Sequence, residues 1–405
     1  MGVCTGSFVG SQMLRFKKLI KYCSRMTKRD GLVRFQHLQN ANLEAALPRL
    51  LTSRVTSLNF CLSRLTHQDI AALGSFLSSS DHLRELYIPY VNMDQEGYDL
   101  LGPYLKKARP LQVINASSRS MPQDLRWLER VLINTQSLTT LILHHIPFTI
   151  DSVTQLARGV ASNRTLTDLD LSLNRLGAES GSVIIDAFCI NSTVRSLNLG
   201  WNELGPVCAI SIARVLAVNT SLISLQLMRN DFYDCGAELI ADAFAFNCTL
   251  TDLNLSCNRI ASPCLQSLMA MFQSTSLRSL NLEHNPFSSP AVSTNILTLI
   301  RLNTTLTRLV VHSVYNDYPI QRPFQNSVEE LMHRNQYLIF WKGFSLLQRC
   351  WLVMKQHALD SLPEVPVELQ ISLNRWYATI FINVFLTLGR RYFQKKSDFS
   401  PIRAS

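Results

Sequence analysis

The side chains able to do chemistry are informative here mainly through their spacing. His144-His145 is an adjacent imidazole pair, but neighbours in a strand point to opposite faces, so a metal shared between them is not expected. The ten cysteines (4, 23, 61, 189, 208, 235, 248, 257, 264 and 350) include no CxxC pair and no Cys/His spacing of the zinc kind. They read as reduced thiols serving as small apolar residues. No Ser/His/Asp set, paired carboxylates or Gly-rich phosphate loop occurs, so the sequence implies no catalytic residue, no metal and no cofactor. Seven N-x-[ST] sequons are present, and five of their asparagines (163, 191, 219, 247 and 303) recur at one interval. They read as punctuation, each closing a helix before the next strand, with Asn tolerating a left-handed helix end.

That interval belongs to a larger pattern. Leu166-Thr-Asp-Leu169-Asp-Leu171-Ser-Leu-Asn174 aligns with the segments beginning at Val194, Leu222, Leu250 and Leu277. Each reads LxxLxLxxN, with Val194 standing for the first Leu. Weaker copies begin at Val55, Leu83, Leu111, Leu138 and Leu306, and the ten starts lie 27–29 residues apart. The LxL alternation is that of a strand with one buried face. The Asn amide both donates and accepts, so asparagines stacked at one height can satisfy buried turn groups. After each Asn comes a segment with apolar residues at i, i+3, i+4 and i+7, as in Gly181–Ile190 and Ala237–Phe246. No unit can cover its own apolar face, so neighbours must stack.

A 28-residue unit with a full helix resembles the ribonuclease-inhibitor-like class of leucine-rich repeats, as in ribonuclease inhibitor, the Ran GTPase-activating protein and NOD-like receptors. The resemblance covers residues 51–338. It implies an α/β solenoid, a horseshoe with a parallel inner sheet and outer helices, and a protein-binding platform. The N-terminal coils depart from it, holding Ser63, Val91, Arg119 and Ile146 at the Asn position. Their leucine ladder persists, so those coils should form with turns satisfied in another way.

Between the ladder leucines, side chains are expected to face out of the sheet. Asp168, Asp170 and Ser172 do so in the first clear repeat, followed by Ser196, Asn198 and Gly200, then Ser224, Gln226 and Met228. Asp252, Asn254 and Ser256 come next, then Ser279, Asn281 and Glu283. This face is small, polar and mildly acidic, and suits a protein partner with a basic or neutral surface. Beside it stand Trp201, Arg229 and His284, and a Trp next to an Arg is the chemistry of interface hot spots.

The ends of the chain differ from its body. Residues 1–50 hold nine basic and two acidic side chains, 51–338 hold 21 and 23, and 339–405 hold nine and four. With a near-neutral body, nucleic-acid binding is not expected. Residues 1–50 read as a basic helical cap on the first coil. The alternatives to the cap for Gln12–Arg29 are an amphipathic helix on an anionic membrane surface and a transit peptide, and Met1-Gly-Val-Cys4 only partly matches a myristoylation signal. Residues 339–405 form a basic helical region whose apolar stripe, Trp376 to Leu388, suits a groove on the last coil or on a second partner.

Ser345-Leu346-Leu-Gln-Arg-Cys350-Trp-Leu-Val-Met354 resembles the elongin-binding half of a suppressor-of-cytokine-signalling box, with Met354 where an aliphatic is usual. Leu362-Pro363-Glu-Val-Pro366 is similar to the Leu-Pro-x-Pro that follows in such boxes, with one residue more. The resemblance implies ligase recruitment by Leu346, Cys350, Leu362 and Pro363. Three functions follow. The first is a non-enzymatic, monomeric, cytoplasmic scaffold binding a protein through the inner face. The alternatives are a ubiquitin-ligase substrate receptor recruiting elongin and cullin through 345–366, and a GTPase activator. No run of residues reaches the roughly 18–20 apolar residues of a membrane span.

Overall fold

The computed structural model describes residues 31–35, 43–261, 267–286, 296–301, 303–311 and 321–342. Of the chain's two units, Met1–Ile339 and Phe340–Ser405, nearly all described residues belong to the first. Eleven three-residue strands form one sheet in chain order, β1 to β11. They are β1 Leu32–Arg34, β2 Ser57–Asn59, β3 Glu85–Tyr87, β4 Val113–Asn115, β5 Thr140–Ile142 and β6 Asp168–Asp170. The others are β7 Ser196–Asn198, β8 Ser224–Gln226, β9 Asp252–Asn254, β10 Ser279–Asn281 and β11 Arg308–Val310. All pairings are parallel and in one register: Leu169 pairs with Leu197, Leu197 with Leu225 and Leu225 with Leu253. The sheet thus begins with a strand that lies before the first of the ten sequence repeats.

Between strands run helices α1 Leu43–Leu50, α2 His67–Ser79, α3 Gln95–Lys107, α4 Arg126–Asn134 and α5 Ile150–Ser162. They are followed by α6 Gly177–Asp186, α7 Gly205–Val218, α8 Tyr233–Asp242, α9 Met269–Gln273 and the closing helix α10 Gln321–Lys342. The central strand leucines and the helix residues Leu156, Ile184, Ile212 and Ile240 meet in one continuous buried core. Local signals set the helix starts. Thr66 and Asp69 form a reciprocal capping box on α2, and Thr149 and Ser152 do the same on α5.

Two buried asparagine ladders tie the coils together. On the strand-to-helix side, Asn202 Nδ2 donates to Leu171 O and Leu199 O, each at 2.9 Å, while its Oδ1 accepts from Asn174 N at 3.1 Å. Asn174, Asn230, Asn258 and Asn285 repeat the arrangement, with each Nδ2 reaching the preceding coil. The stacking expected of these amides is therefore present. On the helix-to-strand side, the Nδ2 atoms of Asn163, Asn191, Asn219, Asn247 and Asn303 donate 2.7–2.8 Å bonds to carbonyls 31 residues earlier. Each Oδ1 accepts from the backbone N–H two and three residues on, as Asn163 does from Thr165 and Leu166. The left-handed helix end expected there is not found: Asn163 (φ −68°, ψ 144°) and Asn219 (φ −80°, ψ 128°) are extended. Their role is hydrogen bonding, and the five sequon nitrogens are buried and engaged.

Two of the four coils lacking the first ladder close their turns with hydroxyls. Ser63 Oγ donates to Phe35 O at 2.6 Å, and Ser117 Oγ accepts from His144 N at 2.9 Å. The ladder takes over at Ile146, whose N–H donates to Asn174 Oδ1 at 2.7 Å. At the far end, Asn335 of α10 donates to Leu306 O at 2.7 Å and to Asn303 Oδ1 at 3.3 Å, extending the second ladder by one step. Its neighbour Arg334 donates to the carbonyls of Arg301 and Asn303. Among the described residues no helix is long and apolar enough to cross a membrane.

Candidate protein-interaction surface

The first and third residues of each strand carry the sheet face opposite the helices, and most are half-exposed or exposed. The third residues have a local task. Oδ1 of Asn198, Asn254 and Asn281 accepts from the N–H two residues on, at 2.9–3.1 Å, turning the chain out of the strand. Asp170 Oδ1 does so for both Ser172 N (3.0 Å) and Ser172 Oγ (2.7 Å). This tight turn buries Ser172, Gly200 and Ser256, which were expected to face outward. Asp168 and Asp252 each accept from the preceding threonine hydroxyl, and Gln226 Nε2 donates to Ser224 Oγ at 3.1 Å. Asp168 remains exposed, and Asp252, Gln226, Met228 and Glu283 are half-exposed.

The two histidines point apart, but not by strand alternation: both lie beyond the end of β5, and His145 is left-handed (φ 57°). His144 Nε2 lies 3.0 Å from Asp170 Oδ1 across adjacent coils, an ion pair when the imidazole is protonated. His145 instead packs its ring against Tyr90, centroids 6.1 Å apart. Burial works against ionisation of Asp170, but the His144 imidazole and the Ser172 N–H and O–H outweigh it and hold the carboxyl below its ordinary value. Burial, with Arg119 and His144 nearby, lowers the His145 value.

Beyond the sheet edge the chain enters a tight turn in which every second residue is left-handed. The first such position in each coil holds Leu173, Trp201, Arg229, Cys257 and His284, with φ of 55–65°. Arg175, Glu203, Asp231 and Arg259 hold the next, with φ of 50–59°. Side chains other than Gly adopt this conformation at some expense, and the ladder asparagine between them fixes it. The outcome is a rigid row of side chains along one rim. On it the Arg229 guanidinium carbon lies 4.0 Å from the centre of the Trp201 ring, which is 39% exposed. His284 Nε2 lies 3.6 Å from Glu283 Oε1. Next to this row, Arg259 pairs with Asp231 at 2.8 Å and donates to Tyr233 Oη at 2.9 Å.

The structure thus brings Trp201, Arg229 and His284 into one row and leaves Asp170, Asn198, Asn254 and Asn281 occupied by their turns. Sequence reasoning missed Leu173 and Cys257 of the same row and the Asp231–Arg259–Tyr233 cluster. The signal was available, since these residues flank the ladder asparagine on either side. Leu346, Cys350, Leu362, Pro363 and the segment Gln12–Arg29 lie outside the described residues.

A family profile described as "Leucine Rich repeat" matches residues 162–184, 191–213, 246–269 and 273–294. These coils are leucine-rich repeats. With a helix in each unit of about 28 residues they are of the ribonuclease-inhibitor-like type. A search of curated proteins finds no match. Among solved structures, the leucine-rich repeat-containing protein LegL7 from Legionella pneumophila is 16% identical and aligns over 75% of this chain and 98% of its own, with a TM-score of 0.49. The actin-binding site 2 structure of leiomodin-1 is 21% identical over 45% of this chain and 82% of its own, with a TM-score of 0.27. The Caenorhabditis elegans tropomodulin C-terminal domain is 14% identical over 48% and 96%, with a TM-score of 0.30.

Proposed function

We propose that this leucine-rich-repeat chain is a protein-interaction platform whose contact centre is the rim around Trp201 and Arg229, with the open face of β6–β10 beside it. Leucine-rich repeats generally serve protein–protein recognition, and the single observation that carries the finer reading is the stacked Trp201–Arg229 pair. A partly exposed indole, already ordered by a cation and by a fixed backbone, can be buried by a partner with little further loss of entropy. Asp168, Asp252 and Glu283 favour a basic or neutral partner surface next to that anchor. The residues whose amides close the turns shape this face and contribute little binding energy themselves.

The test is quantitative cross-linking mass spectrometry from cell extract, comparing wild type with Trp201→Ala and with Arg214→Ala on the outer helix α7. Partners that fall at least tenfold with W201A and persist with R214A support the reading. An unchanged partner set in W201A sinks it. The ligase-receptor and GTPase-activator readings draw no support from the described geometry.

A further inference from the structure

A second polar feature lies far from the Trp201 rim, on the edge where helices end and strands begin. A cavity of about 420 Å³ opens between the end of α3 and the end of α4, lined by Lys106, Lys107, Arg109, Asn134, Gln136 and Ser137. Its size falls in the range of small-molecule sites, roughly 300–1,000 Å³. Three of the six lining residues are cations and none is an acid. Among the described residues, none of the three cations makes an ion pair, although eight such pairs occur elsewhere in this unit.

The floor of the cavity is held firmly. Ser137 Oγ donates to Ala108 O (3.2 Å) and Leu111 O (2.8 Å), pinning the turn after α4 to the turn after α3. Asn134 Nδ2 donates to Arg130 O at 2.8 Å, closing the end of α4. Those bonds fix the end of α4 and hold the turn after α3, which carries Arg109, against the turn after α4.

A purely structural account would assign the lysines to the negative end of the helix dipole. The rest of the array argues against that need. Helices α2, α4, α5, α6, α7, α8 and α9 all end with no basic residue in the last turn, and α1 has only Arg49 there. Arg109, moreover, lies beyond the last turn of α3. Three like charges lining one concave wall repel one another and focus a positive potential into the cavity, an arrangement stabilised by an anion.

We infer that this cavity binds a ligand carrying two or more phosphate groups, with Lys106 and Lys107 as point charges, Arg109 as a planar fork on phosphate oxygens, and the Gln136 amide as a neutral donor. A single phosphate would leave part of the cationic wall unmatched. A soluble polyphosphate and a phosphoinositide headgroup present the same chemistry.

Inorganic pyrophosphate, titrated calorimetrically into the full chain at low salt, is the probe. The expected result is saturable one-site binding that weakens with added salt and falls at least tenfold in K106Q/K107Q/R109Q. Gln136→Glu, which sets a carboxylate on the opposite lip without touching the cations, should weaken binding comparably, whereas Arg214→Gln should not. Vesicles of phosphatidylcholine with and without phosphatidylinositol 4,5-bisphosphate separate the sources. Co-sedimentation lost in the triple variant assigns a lipid headgroup, and pyrophosphate binding without vesicle binding assigns a soluble ligand. Absence of saturable pyrophosphate binding, or equal binding by the triple variant, overturns the proposal.

Discussion

The coils of β2–β5 and those of β6–β10 build the same strand in two ways. Both bury a ladder leucine and keep the parallel register. In the first group the turn after the strand is closed piecemeal by Ser63, Ser117 and backbone bonds, and the left-handed residues Leu62, Tyr90 and His145 occur singly. In the second, one asparagine per coil serves both the preceding coil and its own, and from β6 to β9 left-handed residues come in twos and threes, with His284 alone after β10. The leucines therefore specify the stack, whereas the asparagines specify the shape of the rim. Among the described residues, only the half with the ladder presents a stacked aromatic–cation pair there.

Removing a ladder amide should separate the halves most sharply. Asn202→Ala strands the buried Asn174 N–H and removes one of the two side-chain donors to each of Leu171 O and Leu199 O, and is expected to destabilise by about 3 kcal/mol. Val91→Ala, at the same position of a first-half coil, only shortens an apolar side chain and should cost about 1–2 kcal/mol. Urea denaturation of the two variants measures the gap, and equal losses would refute the contrast. In binding, Trp201→Ala should weaken a captured partner about 30-fold, near 2 kcal/mol, without changing the unfolding midpoint. Tyr90→Ala, at the matching rim position of the first half, should change affinity less than about fivefold by the same titration.

The junction between the halves offers a smaller, pH-dependent effect. Asp170→Asn keeps an acceptor for Ser172, as Asn198 does for Gly200, and removes the charge facing His144. Because the folded Asp170 value is depressed, its contribution is complete above the unfolded value of about 3.9 and is lost as pH falls through the folded value. Wild type should exceed D170N by about 1–2 kcal/mol at pH 7, and the gap should shrink as pH is lowered beneath the ordinary carboxylate value, as read from denaturation midpoints. Least of all, Asp231→Asn, which breaks an exposed pair with Arg259, should shift stability by about 0.5 kcal/mol or less.

The strand register and the first asparagine ladder were legible because each uses one letter at one spacing, from Leu169 to Leu280 and from Asn174 to Asn285. The second ladder was visible as a row of sequons, but its reason was not: Nδ2 of Asn191 reaches a carbonyl 31 residues back, a contact that no local turn rule predicts. Ser172 and Ser256 were misplaced because strict alternation ends where Asp170 and Asn254 pull the backbone round. The cation-lined cavity could not be read at all, since Arg109 and Gln136 meet only once two helix ends are stacked. At the rim, Trp201 and Arg229 stood out by residue type, but their stacking follows from a positive φ that LxxN does not announce.

Arg334 and Asn335 have one more consequence. A chain of identical coils is in principle a polymer, and its growing edge would accept a further monomer from another molecule as readily as from its own sequence. Arg334 and Asn335 of α10 instead occupy the acceptors at Leu306 and Asn303, and among the described residues no strand follows β11. Replacing that pair would leave the Leu306 and Asn303 acceptors without these donors, so a side-chain pair on a helix stands in for the amide that a further coil would bring.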